Sequence, residues 1–345
     1  MKKYIKLIAV LLTLAMVVAF AACGGNTDQP AETTAAEENA EPVSNENGDA
    51  GKVYKIGVIQ LLEHDALNAN YQGFVDKLNE LMPGQVEIDY QNAQGEQTNC
   101  TTIVNKFVSD GVDMIFAIAT PAAQAAKTAT ADIPILISSV TDPKEAGLVD
   151  TNEVPGGNLT GTSDLNPIEQ QSDLLLQLVP DAKTVGVFYN SGEDNSIFQY
   201  NLAKEALEAK GIEVQAYTVS DATQLETVAQ SAVGKIDAAY IGTDNLIASS
   251  MGTVSKVLTE AGIPIICGEE NMVVNGGTAT YGLNYYNLGV KTAEMAYDVL
   301  VNGADTASMA IQYLPAEELD FSVNKEILAQ LGIELPAELE AQLAD

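Results

Sequence analysis

The chain predicts an α/β protein made of two similar Rossmann-like lobes with parallel sheets. Three observations carry this reading. From Tyr54 onward, short β-branched runs alternate with amphipathic helical stretches, which is the pattern of βαβ units. Four segments of the first half recur in the same order in the second. The length of 345 residues, with 46% hydrophobic content, suits about two domains with substantial cores.

The first half starts with a strand at Lys55–Gln60 (KIGVIQ). Asn68–Leu81 places Tyr71, Phe74, Val75 and Leu78 on one helical face. A strand follows at Val86–Tyr90, then a helix at Gln97–Asp110 carrying Ile103, Val104, Phe107 and Val108. Val112–Ala119 is a strand, and Pro121–Thr130 opens with proline in the first turn of an alanine-rich helix. Ile133–Ser138 is the next strand. The order then restarts. Thr184–Tyr189 mirrors Lys55–Gln60, Asp237–Thr243 mirrors Asp113–Ala119, Ile263–Ile266 mirrors Ile133–Leu136, and Gly276–Gly282 mirrors Gly156–Gly161. One such match is weak, because buried parallel strands look alike; four in one order make a duplication. Chain crossings between the halves are expected near Gly161–Asp164 and Tyr281–Tyr285. Pro167–Val179 and Asn287–Val301 read as helices at the boundary. Ile311–Leu314 reads as one more strand, and Asn324–Gly332 and Pro336–Ala344 as short helices.

The first fifty residues have a different character. Lys2, Lys3 and Lys6 precede an uncharged, mostly apolar run from Leu7 to Phe20, followed by Ala21, Ala22 and Cys23. Residues 1–22 are therefore expected to be a secretory signal peptide. The small pair before Cys23 resembles the lipobox of bacterial lipoproteins, although Phe20 stands where that motif most often has leucine. The resemblance implies lipidation at Cys23, with palmitate among the acyl groups. An uncleaved anchor helix and a cleaved but unlipidated leader are the alternatives. Residues 23–52 are polar and acidic, with Val43 the one sizeable hydrophobe up to Gly51, and read as a disordered tether.

Composition excludes several functions. Asp+Glu number 48 against 16 Lys+Arg, all of them lysine, for a net charge of −32. Nucleic-acid binding lacks the basic surface that it needs. Arginine clamps on carboxylate or phosphate are impossible. The single histidine, His64, argues against His-rich metal sites and against a Ser-His-Asp site elsewhere in the chain. No P-loop, Gly-x-Ser-x-Gly or metal-spaced cluster appears. No enzyme activity, cofactor or metal is expected. Cys100 and Cys267 allow one disulfide, but read more simply as two buried thiols.

In open α/β sheets, ligands bind beyond the carboxyl ends of the strands. In the first half the residues there are Gln60, Glu63, His64 and Ala66, then Thr120 and Pro121, then Ser138, Ser139 and Asp142. At the crossing lie Ser163 and Asp164. In the second half come Tyr189, Asn190 and Asn195, then Thr243, Asp244 and Asn245, then Glu269, and finally Tyr281. Each polar residue at a strand–helix junction also has a plain reading as an N-cap. Convergence favours a site. The N-terminus of the helix after Thr120 can hold an anion. Asp164, Asp244, Glu269 and Glu270 can meet an ammonium group, and Tyr189, Tyr281 and Tyr285 can pack on a flat side chain. A zwitterion with an apolar side chain satisfies all three.

Six segments together, Lys55–Leu67 (KIGVIQLLEHDAL), Ala117–Gln124 (AIATPAAQ), Val140–Pro143 (VTDP), Gly161–Asp164 (GTSD), Thr243–Asn245 (TDN) and Gly268–Glu270 (GEE), resemble the substrate-binding lipoproteins of ABC transporters of the tryptophan/tyrosine-uptake type. The resemblance runs from Tyr54 to the C-terminus. It implies the type I periplasmic binding protein fold, two lobes joined by a three-crossing hinge. Lobe 1 is then expected at residues 53–161 and 284–312, and lobe 2 at 162–283 and 313–345. The loops after Gln60, Ala119, Ile137, Gly161, Phe188, Gly242 and Cys267 are implied to line the ligand cleft. The family implies capture of an aromatic or other hydrophobic amino acid by hinge closure, and delivery by a monomer to ABC permease subunits. The membrane would be reached through the lipid anchor, on the extracytoplasmic face. A binding lipoprotein for a sugar or nucleoside, or a sensor ectodomain, are the alternatives; the absence of Trp weighs against sugars.

Overall fold

The computed structural model describes residues 52–343. The expected leader, the expected lipidation site Cys23 and nearly all of the expected tether lie outside the described residues. Among the described residues no helix is long and apolar enough to cross a membrane.

The first lobe alternates β1 (Tyr54–Gln60), α1 (Asp65–Leu81), β2 (Val86–Asn92), α2 (Gln97–Asp110), β3 (Met114–Ile118), α3 (Thr120–Ala129), β4 (Ile135–Val140) and β5 (Leu159–Ser163). The second alternates α4 (Ile168–Leu178), β6 (Thr184–Asn190), α5 (Asp194–Ala209), β7 (Glu213–Val219), α6 (Leu225–Ala232), β8 (Ala238–Ile241), α7 (Asn245–Ala248), α8 (Met251–Glu260), β9 (Ile265–Cys267), α9 (Glu270–Val274) and β10 (Ala279–Leu283). The chain then returns to the first lobe with α10 (Tyr285–Leu300), which packs along α1. It finishes on the second with β11 (Leu319–Val323), α11 (Lys325–Leu331) and α12 (Ala337–Gln342).

The first sheet has the order β2-β1-β3-β4-β5 and is parallel throughout. The second repeats that order as β7-β6-β8-β9-β10, with β11 added antiparallel at its edge. The duplication seen in the sequence is thus a duplication of topology. It extends to single residues. Gly57 in β1 lies so near the Phe107 ring that a Cβ would sit 2.5 Å from it. Its counterpart Gly186 in β6 would meet Ile236 at 2.7 Å. At both places the missing side chain lets a helix-side residue press directly on the sheet. Continuous apolar strands suit sheets covered on both faces. Accordingly β3 and β4 are buried at every residue. Phe74 and Phe116 stack at 3.9 Å in the core of the first lobe.

Three passages link the lobes: Asp164–Pro167 between β5 and α4, Asn284 between β10 and α10, and the segment after Gln312. Asn166 fastens the first two together, its Oδ1 accepting the Leu283 N–H at 3.1 Å. Gln312 fastens the third, accepting from Ser163 N and donating to Gly161 O, both at 2.9 Å. One expectation needs correction. Ile311–Leu314 is not a strand; only Thr162 and Gln312 pair there, because the segment is leaving one lobe for the other. Cys100 and Cys267 are both free thiols, as expected, buried in separate lobe cores.

Candidate functional site

The carboxyl ends of the two sheets face each other across a small, tight cavity. The first lobe contributes His64, Leu67, Ser139 and Thr141. The second contributes Asn195, Thr243, Asp244, Asn245, Ala248 and Glu269, and the passages between the lobes add Asp164 and Tyr285. A second space of about 220 Å³ shares Asn195 and reaches Thr120, Asp142 and Phe198.

The backbone that supports this side of the first lobe is unusual. Ala119 (φ 82°) and Ser139 (φ 55°) both adopt left-handed conformations without being glycine. They end β3 and β4, and a break in the β4–β5 register falls between Ile137 and Val140. Strained backbone of this kind persists where the surrounding structure holds it, and clusters at ligand sites.

The acidic residues divide by what they already hold. Asp244 accepts from the Asn190 and Ile247 N–H groups, the second as N-cap of α7. Glu269 accepts from Asn271 N at 2.7 Å and Met272 N at 2.9 Å as N-cap of α9. Glu193 is buried and accepts from the side-chain amides of Asn190, Asn195 and Asn245. Burial pushes Glu193 and Glu269 up to about 7. Asp164 differs. Its Oδ2 accepts from the Tyr285 hydroxyl at 2.7 Å, but its buried Oδ1 has no hydrogen-bond partner among the described residues. Burial pushes its carboxyl up to about 6, against the opposing influence of the Tyr285 hydroxyl and, less strongly, of the Thr141 hydroxyl and its own backbone N–H. Thr120 Oγ1, Ser139 Oγ and Asn195 Oδ1 are likewise buried and unpartnered among the described residues. Unpaired buried polar atoms cost about 1–3 kcal/mol each, so these four around one cleft call for a partner there, water or ligand; Gln60 Oε1, Asn70 Oδ1 and Thr259 Oγ1 are unpartnered among the described residues as well.

No lysine lines the central cavity, and His64 is its one basic group. His64 lies across the cleft from Asn245, with Nε2 at 3.3 Å from Oδ1. Burial lowers its pKa to about 4, so the imidazole is neutral at pH 7.

Several expected residues lie outside the central cavity. Gln60 is buried and donates to Leu62 O and Asn68 Oδ1. Glu63 is exposed in an outer groove. Ala66 packs beside Tyr285 and Leu288. Pro121 is buried and lines the space between α2 and α3, away from the cleft. Ser138 bonds Asn70 and Thr162, and Ser163 donates to Thr141 O. Asp142 caps the turn at Lys144–Glu145. Tyr189 stacks on Tyr200 at 4.5 Å, and Asn190 organises the turn to Gly192 and Glu193. Tyr281 points away from the cleft onto Phe321, its hydroxyl reaching Gln342. Alternation along β10 decides this last case: Thr280 turns inward and Tyr281 outward. Leu67, Thr141 and Ala248 line the cavity and Glu193 backs it; Leu67 and Thr141 fall within segments singled out in the sequence, whereas nothing local marks Ala248 or Glu193.

Two α/β lobes with a polar, lobe-spanning cavity define a binding protein of the type I periplasmic class. The chain belongs to the ABC transporter substrate binding protein family, whose profile matches residues 55–344. It is 41% identical over 307 residues to a tyrosine-binding protein of Clostridioides difficile (strain R20291), covering 88% of each chain. It superposes with a TM-score of 0.81 on an ABC domain from Streptococcus pneumoniae in complex with L-Trp, at 36% identity, covering 84% of this chain and 98% of that one. With a ligand-free, open substrate binding protein with adhesive properties from Clostridium difficile, identity rises to 45% but the TM-score falls to 0.65, over 83% and 97% of the two chains.

Proposed function

We propose that this protein is the extracytoplasmic, lipid-anchored receptor of an ABC importer, and that it captures an aromatic amino acid, tyrosine or tryptophan, by closing its two lobes. The observation that carries the ligand class is Asp164 Oδ1, a buried, unpartnered carboxylate oxygen at a cavity with no lysine. It suits an α-ammonium group. The hydroxyls of Thr120 and Ser139 suit the carboxylate, near the start of α3 where backbone N–H groups are free. Leu67, Ala248 and Tyr285 offer an apolar and aromatic wall to a ring. The names of the relatives point the same way. The groups in the cleft bind and orient; none is set as an activated nucleophile.

Isothermal titration of residues 52–345 with the twenty amino acids tests the reading. Binding confined to tyrosine, tryptophan or phenylalanine is expected, and binding of a sugar or nucleoside with no aromatic amino acid bound overturns it. The anchor is tested separately, with full-length protein in a bacterial host. Cys23→Ala should move the protein from the membrane fraction to the medium or periplasm. Retention in the membrane would favour an uncleaved helix. A multiply acylated N-terminus is expected, because one acyl chain holds only marginally.

A further inference from the structure

Outside the central cavity, and on the same side as His64, lies an open groove of about 620 Å³. Both lobes form it. Glu63 and Asp65 come from one, and Ser250 and Asn275 from the other. Asn275 Nδ2 donates to Asp65 Oδ2 at 2.9 Å across the groove. Two residues line both spaces, His64 and Ala248. Ala248 has almost no side chain, so the imidazole is the bulk that separates the inner cavity from the outer groove. Asn245 holds it in place from the opposite lobe.

We propose that His64 is a specificity-determining gate: it limits the ligand to one amino acid by closing the passage to an acidic outer groove, which would otherwise accept an aromatic amino acid extended by a cationic group. The inference rests on the aromatic amino acid reading above. The inner cavity is a tight space walled by both lobes, and its boundary with the groove is made by His64 and Ala248. The groove beyond His64 is large, open to solvent and carries the exposed carboxylates of Glu63 and Asp65, which favour a positive extension. Discrimination therefore depends on steric exclusion at one side chain. His64 also precedes α1 without capping it through its side chain, so truncation leaves that helix start intact.

The test compares L-tyrosine with two extended probes, L-tyrosyl-L-lysine and O-(2-aminoethyl)-L-tyrosine, by calorimetry on wild type, His64→Ala and His64→Leu. Melting temperature and circular dichroism verify that each variant is folded. Wild type should prefer tyrosine over both probes. His64→Ala should narrow that preference by at least about tenfold for one probe, the scale at which a pocket discriminates by size. His64→Leu keeps the bulk without the hydrogen bond and should retain the preference. An unchanged ratio in His64→Ala overturns the proposal, as does an equal narrowing in His64→Leu, which would assign the effect to the bond with Asn245. Tight binding of both probes by wild type overturns it too. If wild type binds no aromatic amino acid at all, the underlying reading fails with it, a result distinct from intact tyrosine binding with an unaltered ratio.

Discussion

Four buried acids cluster around the cleft, and their partners decide which of them is available. Asp244, Glu193 and Glu269 are engaged by backbone or side-chain amides, whereas Asp164 keeps one oxygen free. Asp164→Asn keeps the shape and the bond from Tyr285 but removes the charge. It should weaken binding of an amine-bearing ligand by about 1.5–3 kcal/mol, roughly tenfold to a hundredfold. Calorimetry on the variant checks this, and affinity within twofold of wild type would displace Asp164 from the site. The pH dependence has a definite sign. In this closed, ligand-free arrangement Asp164 is raised to about 6, so it is ionised above that pH and protonated below it. An ammonium partner favours the ionised form. Binding is therefore fully supported above about pH 6 and weakens as pH falls through it. Asp164→Asn should flatten this part of the profile, while any slope from Glu193 and Glu269, raised to about 7, survives. An identical profile in wild type and variant would assign the pH dependence to those other acids.

Between elements, the closest approach in the first lobe is that of α1 and α10. A Cβ on Gly289 would lie 1.9 Å from the Asn70 carbonyl oxygen, and one on Gly73 would lie 2.1 Å from that of Tyr286. The two helices touch through paired glycines, and backbone cannot yield as a flexible side chain can. Gly289→Ala should destabilise the protein by about 1–3 kcal/mol in urea unfolding. Gly252 in α8 has open space around it, and Gly252→Ala should instead stabilise by up to about 1 kcal/mol. Equal effects at the two sites would show that helix propensity, not packing, governs both. The sequence displays the strands and the duplication clearly because fully buried parallel strands are short, uncharged runs in which Ile and Ala lead. It does not reveal α10's close partner, since contact through glycine leaves no hydrophobic signature. It also hides β11, a five-residue edge strand whose residues are only partly buried. In the site, an acid just before a helix reads alike as cap or ligand group. Asp244 and Glu269 start helices and serve as caps, whereas Asp164, followed by Leu165, Asn166 and Pro167, has no helix to cap. That difference is visible in the sequence. The burial of Glu193 is not, because Asn190, Asn195 and Asn245 meet it only after the second lobe folds.

At the scale of the whole molecule, the lobes are in contact through polar side chains that only a closed arrangement brings together. Gln124 donates to Asp194 at 2.8 Å, Asn275 to Asp65 at 2.9 Å, and Gln199 to Thr141 at 3.2 Å, each from one lobe to the other. The closer superposition on the L-Trp complex than on the open, ligand-free relative accords with this. A ligand shifts such an equilibrium only by its differential affinity for the two arrangements, and contacts between the lobes set how much it must supply. The Gln124 and Asn275 bonds lie at exposed positions outside the central cavity, so removing them alters closure without touching the cleft. At about 0.5 kcal/mol each, the low end for a hydrogen bond because both are exposed, the double variant Gln124→Ala/Asn275→Ala should release ligand roughly fivefold faster. Its association rate should stay near that of wild type, because the ligand meets the open form first and these bonds form only afterwards. Stopped-flow fluorescence from the intrinsic tyrosines separates the two rates. A fall in association rate with unchanged release would mean that the contacts form before the ligand arrives, and closure would then precede capture in this protein.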